Sequence, residues 1–95
     1  MYMVTIHTFC ECGHFHSLML FEDKDRGKKL VPYLNDEIAK LIKDGFVSDD
    51  FRCYTESNGK PITVYTFCKK GTIADSWVDI IVREAKPEVL YEYEC

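Results

Sequence analysis

Thr72-Ile-Ala-Asp-Ser-Trp-Val-Asp-Ile-Ile-Val-Arg-Glu-Ala-Lys86 can be read with two different periods, and the choice sets how many helices the fold carries. At helical period, Thr72 and Asp75 take N-terminal capping positions and Ile73, Trp77, Ile80 and Ile81 fall on one stripe. At a period of two, Val78, Ile80 and Val82 alternate with Trp77, Asp79, Ile81 and Arg83 in a β-branched run. The capping pattern ahead of the run and Pro87 behind it favour a second helix over residues 72–85.

Upstream, Phe51 to Glu56 and Ile62 to Cys68 are β-prone segments flanking Ser57-Asn-Gly-Lys60. Asn58-Gly59 is a strong two-residue hairpin signal because both positions tolerate positive φ. That turn pairs Cys53 with Val64 and Thr55 with Ile62, and so places Arg52, Tyr54, Tyr65 and Phe67 on one sheet face. A helix precedes the hairpin, over residues 29–44, where Leu30, Leu34, Ile38, Leu41 and Ile42 recur at three-residue and four-residue steps. Pro32 fits in the first turn of that helix, and Gly45 stands where a left-handed stop is expected, with Phe46 folding back on the helix end. Glu22 to Gly27 is a charged loop without apolar residues. Residues 2 to 9 and 14 to 21 form an N-terminal hairpin, and residues 89 to 94 alternate as a last strand.

These elements give an α+β fold in a single compact domain spanning residues 1–95, with an antiparallel sheet, one helix over 29–44 and a second over 72–85. The order from His14 onward is β-α-β-β-α-β, the ferredoxin-like arrangement, with residues 2 to 9 as an extra N-terminal strand. If residues 77–83 are extended instead, the fold becomes a larger antiparallel sheet carrying one helix.

Composition restricts the function classes. Apolar residues at 46% and charged residues at 29% are globular values, and no apolar run approaches the length of a membrane span. No Lys or Arg precedes Lys24, so the basic region of a secretory signal is missing and a cytoplasmic protein is expected. The five cysteines form an odd set without an even spacing framework, which argues against a disulfide-stapled domain. A net charge of −4 disfavours nucleic acid as a partner, because neutralising phosphates requires a basic surface.

Thr8-Phe-Cys-Glu-Cys-Gly-His-Phe-His16 is the one stretch rich in groups able to do chemistry. Soft thiolates and imidazoles close in sequence suit zinc, so Cys10, Cys12, His14 and His16 form a candidate metal set. The segment resembles half of a zinc-ribbon knuckle, with Cys-x-Cys where that family has Cys-x-x-Cys, and the resemblance implies a zinc-stabilised small domain. A hairpin with a four-residue loop sets His7 opposite His16 with His14 on the diagonal, a histidine cluster on one ribbon face. Against this stands the plainer reading of buried thiols and half-exposed imidazoles filling a strand face.

Catalytic spacings are missing: there is no His-Glu-x-x-His, phosphate-binding glycine loop, Gly-x-Ser-x-Gly or EF-hand loop. Asp49-Asp50 reads as a solvated turn, and a thiol enzyme using Cys10 or Cys12 beside His14 is the minority reading. Arg52, Tyr54, Tyr65 and Phe67 have the composition enriched at protein-binding hot spots. The expected function is therefore a small non-catalytic protein-binding module without a cofactor, an inhibitor or accessory factor of the kind phages and mobile elements encode. The zinc-stabilised domain is the alternative.

Overall fold

The structure, a computed structural model, describes residues 1–10, 13–55 and 59–84. Strands β1 (Tyr2–Cys10) and β2 (Gly13–Phe21) are followed by helix α1 (Val31–Lys43), then by β3 (Val47–Thr55), β4 (Pro61–Lys69) and β5 (Ser76–Glu84). The sheet runs β2-β1-β5-β4-β3, and every neighbouring pair is antiparallel. By that alternation the two edge strands, β2 and β3, run parallel to each other. The α1 segment carries the chain from one edge to the other across a single face.

Residues 72–85 are the main correction: they hold β5, and no second helix forms there. Val78, Ile80 and Val82 meet Thr8, Ile6 and Val4 of β1 on one side and Phe67, Tyr65 and Thr63 of β4 on the other. Val78 and Ile80 are buried among the core residues. As a helix the same residues would satisfy their own backbone groups and leave β1 and β4 without the strand that joins them. The residues that mimic a helix cap close a loop instead. The Asp75 carboxylate accepts from the Gly71 backbone N–H at 3.3 Å and from the Lys70 ammonium at 3.2 Å, which are positions behind it in the chain.

With one α-helix among the described residues and this strand order, the ferredoxin-like arrangement does not describe the sheet, while the α+β class stands. The last strand expected over 89–94 lies outside the described residues.

Local signals explain the helix. A short 3-10 turn at Asp23–Asp25 and a wide helical turn at Arg26–Leu30 lead into α1, with Pro32 in the first turn where its missing N–H has no partner to lose. At the other end Gly45 takes φ 96°, its N–H donates to the Ile42 carbonyl and the Phe46 N–H donates to Leu41, the Schellman pattern. Phe46 thereby turns back onto the core beside Leu41.

The core lies between α1 and one sheet face. Leu30, Tyr33, Leu34, Ile38 and Leu41 pack on Val4, Phe21, Phe67, Val78 and Ile80. The helix covers only this face. Ile80 has no exposed surface, whereas Ile42 on the helix is 60% exposed. Ile80→Ala should therefore cost about 2–5 kcal/mol in denaturant unfolding, while Ile42→Ala should change stability by less than about 0.5 kcal/mol. Equal losses at the two sites would contradict the packing described.

Candidate partner-binding surface

Strand pairing lays the opposite, helix-free face out in cross-strand rows. One row runs His14, Phe9, Trp77, Cys68 and Val47, from β2 to β3. The next runs His16, His7, Asp79, Thr66 and Asp50, and the third runs Leu18, Thr5, Ile81, Val64 and Arg52. Leu20, Met3, Arg83, Ile62 and Tyr54 complete the face. Met3, Ile62, Val64 and Cys68 are buried although no helix or strand among the described residues lies above them. Their cross-strand neighbours on this face include Leu20 and Arg83 for Met3, Ile81 and Arg52 for Val64, and Trp77 for Cys68. Around them Phe9, Leu18, Leu20, Tyr54 and Trp77 remain exposed, so the face is apolar at its centre and aromatic at its margins.

The structure brings the three imidazoles together. His7 pairs with His16 across the ribbon, with ring centroids 5.7 Å apart, and lies 5.9 Å from His14. His14 in turn lies over Phe9 at 4.2 Å. The register is the one that alternation on both strands requires, since a one-residue slip of either strand would send its own inward residue, Val4 or Phe21, to the open face. The planes of the His7 and His16 rings are inclined to each other by 27°. Cys10 pairs with Gly13 and by alternation has the parity of Val4 and Ile6, opposite to His14 and His16. Cys12 lies outside the described residues. Among the described residues no group of three His, Cys, Asp or Glu side chains is placed to hold a metal ion.

The aromatic and cationic patch expected on a single face is divided. β3 and β4 pair Cys53 with Thr63 and Thr55 with Pro61, one residue away from the Asn58-Gly59 register. Five residues separate Thr55 from Pro61, so a two-residue turn does not set the pairing. Arg52 and Tyr54 consequently stand on the open face, both exposed. Tyr65 and Phe67 point to the helix side, where Phe67 is 4% exposed within the core and Tyr65 packs against it and against Phe51, with ring centroids 5.1 Å apart.

What sequence reasoning missed is a concavity of about 630 Å³ on the open face, lined by Phe9 and Trp77 together with Asp50, Arg52, Asp75 and Asp79. Within it the Thr66 hydroxyl donates to Asp79 at 2.7 Å. A register shift between Ser48 and Asp50 makes a bulge at Asp49, which turns both carboxylates of the Asp49-Asp50 pair into the lining. Asp50 accepts from the Phe51 N–H at 2.9 Å and faces the Arg52 guanidinium at 3.3 Å. The alternation Trp77-x-Asp79 against Phe9 was the available signal, and it was legible only once β5 was known to be a strand beside β1. A second hollow of about 320 Å³ lies between α1 and the sheet, bounded by Leu34, Ile38, Tyr65 and Val82.

No protein-family model and no curated protein matches this chain.

The loop at the edge of the concavity carries the clearest electrostatic signature. Hydrogen bonds from Lys70 and from the Gly71 N–H hold the Asp75 carboxyl below the usual aspartate range, and the hydrogen bond to Asp75 raises Lys70. A depressed carboxyl contributes stability at pH above its unfolded value, and loses it as pH falls through the lower folded value. Carboxylate NMR should show Asp75 titrating below the ordinary aspartate value, and Asp75→Asn should return Lys70 toward an ordinary lysine value. An Asp75 midpoint at the ordinary aspartate value would mean that the loop is not closed in this way.

Proposed function

We propose that this chain is a small non-catalytic protein-binding module, of inhibitor or accessory type, that docks its open sheet face on another protein. The observation that carries the reading is the concavity that Phe9 and Trp77 line together with Asp49, Asp50, Asp75 and Asp79, on the face the helix does not cover. Aromatic rings supply area at low entropic cost, and carboxylates in the same concavity favour a lysine or arginine flanked by apolar residues. Arg52 and Tyr54, from the patch anticipated in the sequence, lie toward the β3 side of the same face. The net charge of −4 points the same way, since it steers a basic protein surface toward the face and repels polyanions.

The test is affinity capture from the native host with the full chain and with Trp77→Ala, Tyr54→Ala and Ile42→Ala forms, in rising salt. Trp77 and Tyr54 are partly exposed, so both variants should unfold within a few degrees of the parent. Trp77→Ala should weaken capture of a specific protein by roughly thirtyfold or more, the scale of a hot-spot residue. Tyr54→Ala should weaken it less, Ile42→Ala should not change it, and added salt should. Capture unaffected by Trp77→Ala and Tyr54→Ala alike would remove this face as the contact surface.

A further inference from the structure

The two sheet edges are built differently, and the difference has a chemical meaning. Edge strand β3 carries Asp49, Asp50 and Arg52 and is interrupted by a bulge, devices that keep an exposed edge from pairing with another strand. Edge strand β2, Gly-His-Phe-His-Ser-Leu-Met-Leu-Phe, has none of them. Its nine residues include no Lys, Arg, Asp, Glu or Pro, and its register with β1 is unbroken from Gly13 to Phe21. Phe15 and Met19 on one side and Leu18 and Leu20 on the other are each between 42% and 55% exposed.

From this asymmetry we infer that β2 is a homodimer interface: it pairs antiparallel with β2 of a second copy about a two-fold axis at Ser17, joining two five-stranded sheets into one of ten. The inference does not rest on the proposed docking function.

Hydrogen-bond parity supports the register. Cys10 and Gly13 flank a two-residue connection, so they form a hydrogen-bonded pair, and Phe15, Ser17, Met19 and Phe21 likewise bond toward β1. His14, His16, Leu18 and Leu20 therefore direct their backbone N–H and C=O groups outward, to the edge that no described strand pairs with. A two-fold axis at Ser17 matches His14 with Leu20 and His16 with Leu18 of the copy, so every outward group meets an outward group. Side chains agree on both faces. Phe15 meets Met19 of the copy on the helix side, His16 meets Leu18 on the open side, and the small Ser17 meets itself at the axis.

Charge selects the occupant. An edge without charged side chains offers nothing for a basic or acidic partner strand to read, and it meets its own copy without like-charge repulsion. The β3 edge cannot double on itself in the same unbroken way, because the register shift between Ser48 and Asp50 interrupts its ladder.

Sedimentation of the full chain under reducing conditions, from low micromolar to several hundred micromolar, tests the inference. A species of twice 11.1 kDa should appear with rising concentration. Leu18→Lys, which adds a charge to the free edge at an exposed position, should weaken self-association at least tenfold, and Phe51→Lys on the β3 edge should leave it unchanged. Because Ser17 faces Ser17 in a non-hydrogen-bonded pair, where Cα atoms lie about 4.5 Å apart, Ser17→Cys should form a disulfide-linked dimer under mild oxidation. Met19→Cys, which faces Phe15 of the copy, should give no more cross-linking than the parent chain with its own cysteines. A monomer at every concentration, a dimer that survives Leu18→Lys, or cross-linking by Ser17→Cys no greater than by Met19→Cys would each overturn the inference. If Leu18→Lys fails to fold, as read by circular dichroism, the paired cysteine variants still decide the matter.

Discussion

Strand β5 lies between β1 and β4 and makes backbone ladders with both, and the remaining architecture depends on that double pairing. Without it the chain would hold an N-terminal hairpin and a separate β3-β4 hairpin, each too small to bury a core alone. The β1 ladder is a long-range one, joining residues near the start of the chain to residues 77–84. Closing so large a loop has an entropic cost before any contact forms. Burial of Val78 and Ile80, flanked by Val4 and Phe67, offsets it, since fully burying each such side chain contributes about 1.5–3 kcal/mol.

A thirteen-residue helix crossing a five-stranded sheet can cover only one face. On the other face no described helix or strand lies above the sheet, and side chains pack against one another along it. Met3, Val64 and Ile62 lose their solvent contact to Leu20, Arg52, Tyr54 and Ile81, whose own outer surfaces stay in water. Such an arrangement stabilises the sheet and at the same time presents an apolar, aromatic-rimmed surface. The bulge at Asp49 then adds charge at one end, beside Trp77, so that the face is not uniform.

Both edges belong to the same sheet and face the same solvent, yet they differ in sequence in the way that edges meant to stay single differ from edges that pair. β3 spends its positions on charge and a register shift, while β2 carries apolar residues on both sides of an unbroken ribbon. The histidine group lies on the open side of that ribbon and next to its outer edge, so the sheet face and the β2 edge are physically continuous.

The residues themselves determined those features whose information is local. Alternation in residues 2–9 and 14–21 has one register that keeps Val4 and Phe21 inside, and it gathers His7, His14 and His16 without reference to the rest of the chain. Pro32 and Gly45 likewise mark the two ends of α1, because each acts on backbone groups within a turn of itself. Only the tertiary structure decided the state of residues 76–84 and the pairing of β3 with β4. A strand satisfies its backbone on partners distant in sequence, so Asp75 and Thr72 can look like a helix cap until β1 and β4 are seen on either side of Ile80. The same pairing fixes β4 from its β5 side and overrides the turn preference of Asn58-Gly59, which is why Tyr65 and Phe67 face the helix while Arg52 and Tyr54 face solvent.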